Sequence, residues 1–499
     1  MKKMLVSLLA VVLIAALGTK SVVAKLLNAS ADGLFEPYMT YATGGGYAVG
    51  IGDFNSDGLQ DVAMTTSGQL LVLLQNSDGA LAGPVAYDAG LRPESLAVGD
   101  LNNDGRIDVV VANYSSNTIS VFLQQTDGSL APRTIYPTNS GPDAIAVGDV
   151  NGDGLADVVV SHWTSGSIGV FTQNQEGALN SLTAYAAPQA GYDDIAIGDV
   201  NGDGRNDVVK MNGQGYANPN LSVYLQNADG TLDNAISYTL GCTCLSHGIS
   251  IGDVTGDGRN DVVISYGGNR PASFIAVFAQ GVDSSLLTPV SYSAYDIPEP
   301  VELGDLNMDG LLDVAVAHGG WYTLSVFPRE NNGALGAYSL YALPYVSHYS
   351  SQGMAIGDIN HDGLPDIAIA DSNNGLVILR HAPLVVPMHV GDLTATNRKI
   401  SHGWDATVTI TVHDSNHAAL ANATVNGTWS GAYIGNASCT TDANGKCSLT
   451  TGSMPRSSTS VTFEVDNIVK SGYQYSPLNN HSSNNYSDGT SITIIKTDW

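Results

Sequence analysis

Oxygen-bearing side chains recur along this chain at a spacing that suits a hard cation. The pattern Asp-x-Asn-x-Asp-Gly-x-x-Asp occurs seven times, starting at Asp53, Asp100, Asp149, Asp199, Asp253, Asp305 and Asp358. In the third copy Asp149, Asn151, Asp153 and Asp157 hold positions 1, 3, 5 and 9, and Leu155 at position 7 would offer its backbone carbonyl. Calcium takes about six to eight oxygens at roughly 2.3–2.6 Å, and a tight loop wraps it only if alternate side chains point inward. Gly154 follows the fifth position because the chain must turn there with a geometry that disfavours a Cβ. The first half matches an EF-hand loop, but a ninth-position Asp replaces the distant Glu, and strands rather than helices flank it.

The same positions assign the other ligand sets. They are Asp53, Asn55, Asp57, Leu59 and Asp61 in the first copy, and Asp100, Asn102, Asp104, Arg106 and Asp108 in the second. The fourth has Asp199, Asn201, Asp203, Arg205 and Asp207; the fifth has Asp253, Thr255, Asp257, Arg259 and Asp261. The sixth has Asp305, Asn307, Asp309, Leu311 and Asp313, and the seventh Asp358, Asn360, Asp362, Leu364 and Asp366. The Leu and Arg residues act through their carbonyls, which explains why either is acceptable. Thr255, in place of Asn, is a weaker ligand. His361 falls at a non-ligand position and is expected to face solvent. Polar turns without metal are the plain alternative, but three carboxylates crowded in every loop would strongly oppose one another's charge. About seven calcium ions are therefore expected.

Successive loops start 47, 49, 50, 54, 52 and 53 residues apart. A period near fifty sustained over most of the chain points to repeated modules. Each module reads as four strands: in the second, Ser95–Gly99, Asp108–Ala112, Thr118–Gln124 and Leu130–Tyr136. A turn of pattern Asp-Gly-x-Leu, such as Asp127-Gly128-Ser129-Leu130, joins the last two. The runs Val109-Val110-Val111 and Val158-Val159-Val160 are apolar on both faces, as strands buried between neighbouring sheets are. Four-stranded modules at this period read as propeller blades. The last module stops after Leu376–Leu379, while Asp32–Phe35 and Tyr38–Tyr41 form an orphan fourth strand before the first loop. Joining them would seal a seven-bladed ring with no free edge. Acidic loops and Asp-Gly-x-Leu turns then share one face. The opposite face gathers Tyr114, Trp163, Tyr192, Tyr216, Tyr266, Trp321, Tyr322 and Tyr349, either for contact with a ligand or for packing between blades.

The chain has 499 residues with 47 acidic and 19 basic side chains, a formal charge of −28. Seven divalent ions would reduce that to about −14. With no basic stripe, nucleic acid is excluded as a partner. Lys2 and Lys3 precede an apolar stretch to Leu17, and Val22-Val23-Ala24 offers a cleavage site, so residues 1–24 read as a secretory signal peptide. A membrane anchor competes, but about fourteen apolar residues are short for a span. The expectation is a secreted or cell-surface bacterial protein, monomeric, with no membrane span after cleavage. Cys439 and Cys447 flank Asp442-Ala443-Asn444-Gly445 and would form a disulfide across the two strands of a hairpin. Cys242 and Cys244 are left as either a free pair or a labile link. Neither pair resembles a zinc site, since no His or Cys partners recur at ligand spacing.

The run Ala146-Val147-Gly148-Asp149-Val150-Asn151-Gly152-Asp153-Gly154-Leu155-Ala156-Asp157-Val158 resembles the FG-GAP and VCBS repeats of the integrin α-chain propeller type. The likeness covers about residues 32–383 and implies a seven-bladed propeller, with calcium loops on one face and ligand contacts on the other. Past Pro383, Thr407–Val412, Ala423–Trp429 and Ser460–Val465 alternate as strands of a β-sandwich over 387–499. Met388-His389-Val390-Gly391-Asp392-Leu393 and Gly427-Thr428-Trp429-Ser430-Gly431 are similar to a bacterial immunoglobulin-like module, which implies adhesion or spacing. The fold class expected is all-β: a seven-bladed propeller with calcium loops, followed by an immunoglobulin-like sandwich.

Two functions compete. One is a secreted calcium-binding module for adhesion, with a glycan or protein ligand opposite the acidic loops. The other is a carbohydrate-active lyase or hydrolase on the same scaffold. No G-x-S-x-G elbow, H-E-x-x-H run or phosphate loop is present, and no catalytic residue is assigned. His162, His247, His318, His348 and His361 are scattered; His247, His318 and His348 could converge near a central channel with Tyr266, Tyr322 and Tyr349. Asp193, Asp194, Glu299 and Glu302 are among the few acids left for that face.

Overall fold

The computed structural model describes residues 33–188, 193–212, 221–242, 244–346, 348–383, 386–482 and 487–497. The segment 1–24, Asp32, Tyr192, Tyr216 and the Asp193 side chain lie outside them. Two compact units divide the chain, Met1–Ala382 and Pro383–Trp499.

In the first unit the described strands form seven four-stranded antiparallel sheets. The sheet of the second acidic loop comprises Pro93–Gly99, Asp108–Asn113, Thr118–Phe122 and Thr134–Pro137, hydrogen-bonded in that order. Its fourth strand starts later than the expected Leu130, which makes only an isolated bridge to Gln124. The reason is the preceding turn, whose backbone bonds run from Gly128 N–H to the Gln125 carbonyl and from Gln125 N–H to the Ser129 carbonyl. Val109, Val110 and Val111 are 0% exposed, as are Val158, Val159 and Val160. Both faces of these second strands are covered because consecutive sheets stack: Val110, Ala112, Ile119 and Val121 share a core with Ile145, Val158, Val160 and Phe171 of the next. Burying each such valine stabilises by about 1.5–3 kcal/mol.

The ends meet as the orphan strand required. Met39–Tyr41 pairs antiparallel with Gly375–Leu379, Met39 facing Ile378 and Tyr41 facing Leu376. One core joins Val62, Met64, Leu71 and Leu73 of the first sheet to Ala368, Ala370, Leu376 and Ile378 of the last. First strands of consecutive sheets touch in chain order, and Met354–Gly357 touches Val49–Gly52, so the order closes on itself. These repeated sheets fit a β-propeller.

Among the described residues the second unit has two four-stranded sheets. One orders Lys446–Thr450, Gly403–Asp414, Val386–Ile400 and Tyr473–Tyr475; the other orders Gly435–Thr440, Thr424–Gly431, Ser460–Val469 and Ser491–Ile495. Both supply one core around the buried Trp404, Trp429 and Phe463. Cys439 and Cys447 are bonded, but not across a hairpin. Gly435–Thr440 and Lys446–Thr450 belong to different sheets, so the Asp442–Gly445 turn crosses between sheets and the disulfide ties them together. Cys242 and Cys244 are likewise bonded to each other. Among the described residues no helix is long and apolar enough to cross a membrane.

Candidate functional site: acidic loops and an opposite-face cavity

Each acidic loop follows the first strand of its sheet and leads into the second. In all seven copies Oδ2 of the position-1 aspartate accepts the N–H of the position-6 glycine at 2.8–2.9 Å. Oδ1 of the position-5 aspartate accepts the position-7 N–H at 2.9–3.0 Å. These bonds turn both carboxylates into the loop. The seven position-6 glycines have φ between +82° and +86°, the left-handed conformation expected from the turn. Position 4 is left-handed as well, with φ of 58–61° at Ser56, Asn103, Met308 and His361. Varied residue types there hid the requirement from sequence inspection. His361 is exposed.

The ninth-position aspartate differs from the others. Asp61, Asp108, Asp157, Asp207, Asp261, Asp313 and Asp366 are each 0% exposed. Oδ2 accepts the N–H of position 2 at 2.9–3.1 Å, closing the loop on itself. Oδ1 accepts a backbone N–H at 2.7–3.0 Å from the segment after the third strand: Gln75, Gln124, Gln173, Gln226, Gln280, Arg329 and His381 in turn. Burial pushes the carboxyls of Asp61, Asp108, Asp157, Asp207 and Asp313 up to about 6 and Asp366 to about 7, and neighbouring loop aspartates push the same way.

The loops also bind sheet to sheet. Gln124 Nε2 donates to the Asp53 carbonyl at 3.0 Å, Gln173 Nε2 to the Asp100 carbonyl at 3.2 Å, and Gln75 Nε2 to the Asp358 carbonyl at 3.3 Å. The last bond joins the first sheet to the seventh. In three copies the position-7 arginine folds back on its own loop: Arg106 pairs with Asp104, Arg205 with Asp203 and Arg259 with Asp257.

The first strands run from these loops to the opposite face, about 20 Å away for six or seven residues. There, at the strand starts, a cavity of ≈ 340 Å³ opens. Glu94, Asp143, Ser246 and His247 reach it from first strands, Met211 from the end of a second strand, and Tyr47, His348 and Tyr349 from connections. His348 Nδ1 lies 2.8 Å from Glu299 Oε1, and Glu299 Oε2 accepts the Tyr349 N–H at 2.5 Å. Glu299 is 3% exposed, and burial raises its carboxyl above the usual range. Burial lowers the pKa of His247, which meets the Gly267 carbonyl at 3.1 Å; the neighbouring His348 adds to the shift.

Of the expected residues, His247, His348 and Tyr349 come together, and His318 does not. It is 0% exposed within the sixth sheet, between the Asp296 carbonyl at 3.0 Å and Ser325 Oγ at 2.7 Å. Burial pulls its pKa down to about 3. His162 is also buried, with Nδ1 3.2 Å from the Ser167 carbonyl. The aromatic side chains mostly meet one another: Tyr114 packs edge-on against Trp163 and Trp321 edge-on against Tyr295, Tyr322 lies tilted against Tyr345, and Tyr266 stacks on Phe274. Glu94 and Asp143 were missed in the sequence, because nothing in their local motif marks them.

Below the cavity a second space of ≈ 250 Å³ is lined by Asp194, Glu302, Gln352 and the isoleucines of two first strands. Gln352 bridges it, hydrogen-bonding Ser95 Oγ and donating to the Ile145 carbonyl at 2.9 Å. Burial pushes Glu302 from 4.5 up to about 8, and Asp194 adds to the shift. A folded pKa raised above the unfolded one gives stability that is whole below pH 4.5 and lost as pH rises through about 8. Glu302→Gln is therefore expected to be more stable than wild type by about 2–3 kcal/mol at pH 8.5, with the difference shrinking toward pH 5. Urea midpoints across that range check it; a pH-independent difference would contradict the assignment.

Comparison with protein families matches an FG-GAP-like repeat at residues 53–111, 100–160, 149–209 and 305–369. No curated protein sequence matches the chain. Among solved structures, a lectin of Agrocybe aegerita that recognises non-reducing terminal N-acetylglucosamine is 18% identical, covering 62% of this chain and 84% of its own, with a TM-score of 0.46. The periplasmic gluconolactonase PpgL of Pseudomonas aeruginosa is 17% identical over 64% of this chain and 98% of its own, TM-score 0.41. The biofilm matrix protein Bap1 of V. cholerae is 11% identical over 70% and 89%, TM-score 0.38. With four matched repeats and sheets that recur in step with them, this chain carries FG-GAP-like repeats on a β-propeller-type, all-β scaffold.

Proposed function

We propose that the chain is a secreted, calcium-binding, seven-bladed propeller that serves as a binding module, followed by an immunoglobulin-like sandwich. The donor set supports calcium: each loop gathers carboxylate oxygens with an amide or, in the fifth copy, a hydroxyl oxygen, and burial and the neighbouring loop aspartates raise the ninth-position carboxyls such as Asp61, Asp157 and Asp366. A hard divalent ion would neutralise them, held by side chains at positions 1, 3, 5 and 9 and the carbonyl at position 7. In the arginine-bearing copies the guanidinium already engages the position-5 carboxylate, so ion binding there would displace it.

The observation that carries the binding role is the cavity at the far ends of the same strands. Its ≈ 340 Å³ lies in the range of small-ligand sites, and tyrosines beside carboxylates, serines and imidazoles suit a hydroxyl-rich ligand. The ligand class proposed is a glycan terminus. A glycan array probed in calcium tests it, with Glu94→Ala and His247→Ala expected to weaken the captured glycan at least ~10-fold. No glycan retained by the wild type, or equal retention by both variants, would contradict the reading.

A second reading as a polysaccharide lyase or hydrolase is favoured by one observation, the His348–Glu299 pair at 2.8 Å beside the cavity. Release of reducing or unsaturated ends from polysaccharide, abolished by His348→Ala, would decide for it over simple binding.

A further inference from the structure

Four histidines of the second unit meet in one place. His389 lies in Val386–Ile400 and faces His413 of Gly403–Asp414 directly across the antiparallel register. The turn after His413, closed by Asp414 N–H to the Ala418 carbonyl, brings in His417 with φ +60°. His481 arrives from the far end of the chain, its N–H bonded to the Val390 carbonyl at 3.0 Å, while Asn480 Oδ1 accepts the Val390 N–H at 2.8 Å. One ligand atom from each imidazole lies within 4.8 Å of every other.

Three features show a built site. The register slips between Val390 and Asp392, a bulge that places Gly391 beside the His413 ring. A Cβ on Gly391 would stand 2.0 Å from His413 Nδ1, so this position must be glycine for the ring to lie where it does. His389 is 3% exposed, and its Nε2, like Nδ1 of His413, is buried without a hydrogen-bond partner. Unpartnered buried nitrogens cost about 1–3 kcal/mol each. The ring geometry also fits an ion. Zinc bound at about 2.0–2.1 Å by four imidazoles in a tetrahedron sets their ring centres about 5.2 Å apart. The separations among His389, His417 and His481 are 5.1, 5.2 and 5.3 Å, while those to His413 are 6.0, 6.2 and 6.3 Å, so three rings stand at that spacing and His413 would close in to complete it.

We propose that His389, His413, His417 and His481 form a tetrahedral site for a borderline divalent transition ion, zinc being the best match. Neutral imidazoles suit zinc, nickel or copper and not calcium, which takes oxygen. The site is therefore chemically separate from the acidic loops. Four protein ligands leave no open position, so the role is structural: the ion ties two strands, the turn after them and the chain near residue 481 into one corner.

The test uses the full chain, stripped of metal and held in excess calcium, then titrated with zinc by calorimetry and with cobalt by visible absorption. One zinc per chain is expected, with a submicromolar Kd, a raised Tm and the intense visible bands of tetrahedral cobalt. His417→Ala and His481→Ala remove exposed rings, so folding is preserved; each is expected to weaken zinc at least 30-fold and leave the calcium count unchanged. His402→Ala, away from the cluster, is expected to bind as wild type does. Failure of the wild type to bind zinc, or wild-type affinity in both cluster variants, would overturn the proposal.

Discussion

Withdrawing calcium with EGTA is expected to lower the melting temperature by more than about 10 °C, the largest single effect foreseen for this molecule. An ion held only by the folded loop stabilises by RT ln(1 + [L]/Kd). For extracellular sites of about 10⁻⁴–10⁻³ M at roughly 2 mM calcium, that is about 0.6–1.8 kcal/mol per loop, and seven loops add. Removal acts twice, because each bare loop keeps its buried ninth-position carboxylate beside two other aspartates. The loops also carry the sheet-to-sheet bonds from Gln75, Gln124 and Gln173, so strain in one loop reaches its neighbour. Scanning calorimetry with and without EGTA checks this; an unmoved transition would mean that the loops are self-sufficient polar turns.

The second large effect separates two aspartates of a single loop. Asp157→Ala is expected to cost about 2–5 kcal/mol, because it leaves the N–H groups of Val150 and Gln173 buried without an acceptor. Much of that loss should persist in EGTA, since those bonds involve no ion. Asp153→Ala, by contrast, removes an exposed carboxylate that accepts from the Leu155 N–H and Asn151 Nδ2 of the same turn. It should lose about one calcium ion and cost roughly 1 kcal/mol or less when calcium is absent. Urea unfolding of both variants in calcium and in EGTA gives the four numbers needed. Equal destabilisation in EGTA would show that position 9 has no role beyond that of the other carboxylates.

Residue types announced the loops because a nine-residue turn is a local object: its glycine, its alternating oxygens and its flanking strands are all contiguous. The closing strand was legible for a similar reason, since Met39–Tyr41 and Gly375–Leu379 were each visibly missing a partner. Legibility failed where contacts are decided by register between distant segments. Position 9 read as a ligand, and what the sequence hid is a further role: its two oxygens each also accept a backbone N–H. His318 read as a channel residue but sits inside its own sheet, one position from where the connection begins. Cys439 and Cys447 read as hairpin partners, yet the turn between them changes sheets. The four-histidine cluster was least visible of all. His413 and His417 are close in sequence, but His389 joins them through strand pairing and His481 through a segment that returns beside Val390.

The central claim is that the recurrent acidic loops hold calcium, and the most direct measurement is elemental analysis of protein equilibrated with calcium and then freed of unbound ion. The account predicts about seven calcium ions per chain, and about six in Asp153→Ala. Protein that retains no calcium under those conditions would contradict it.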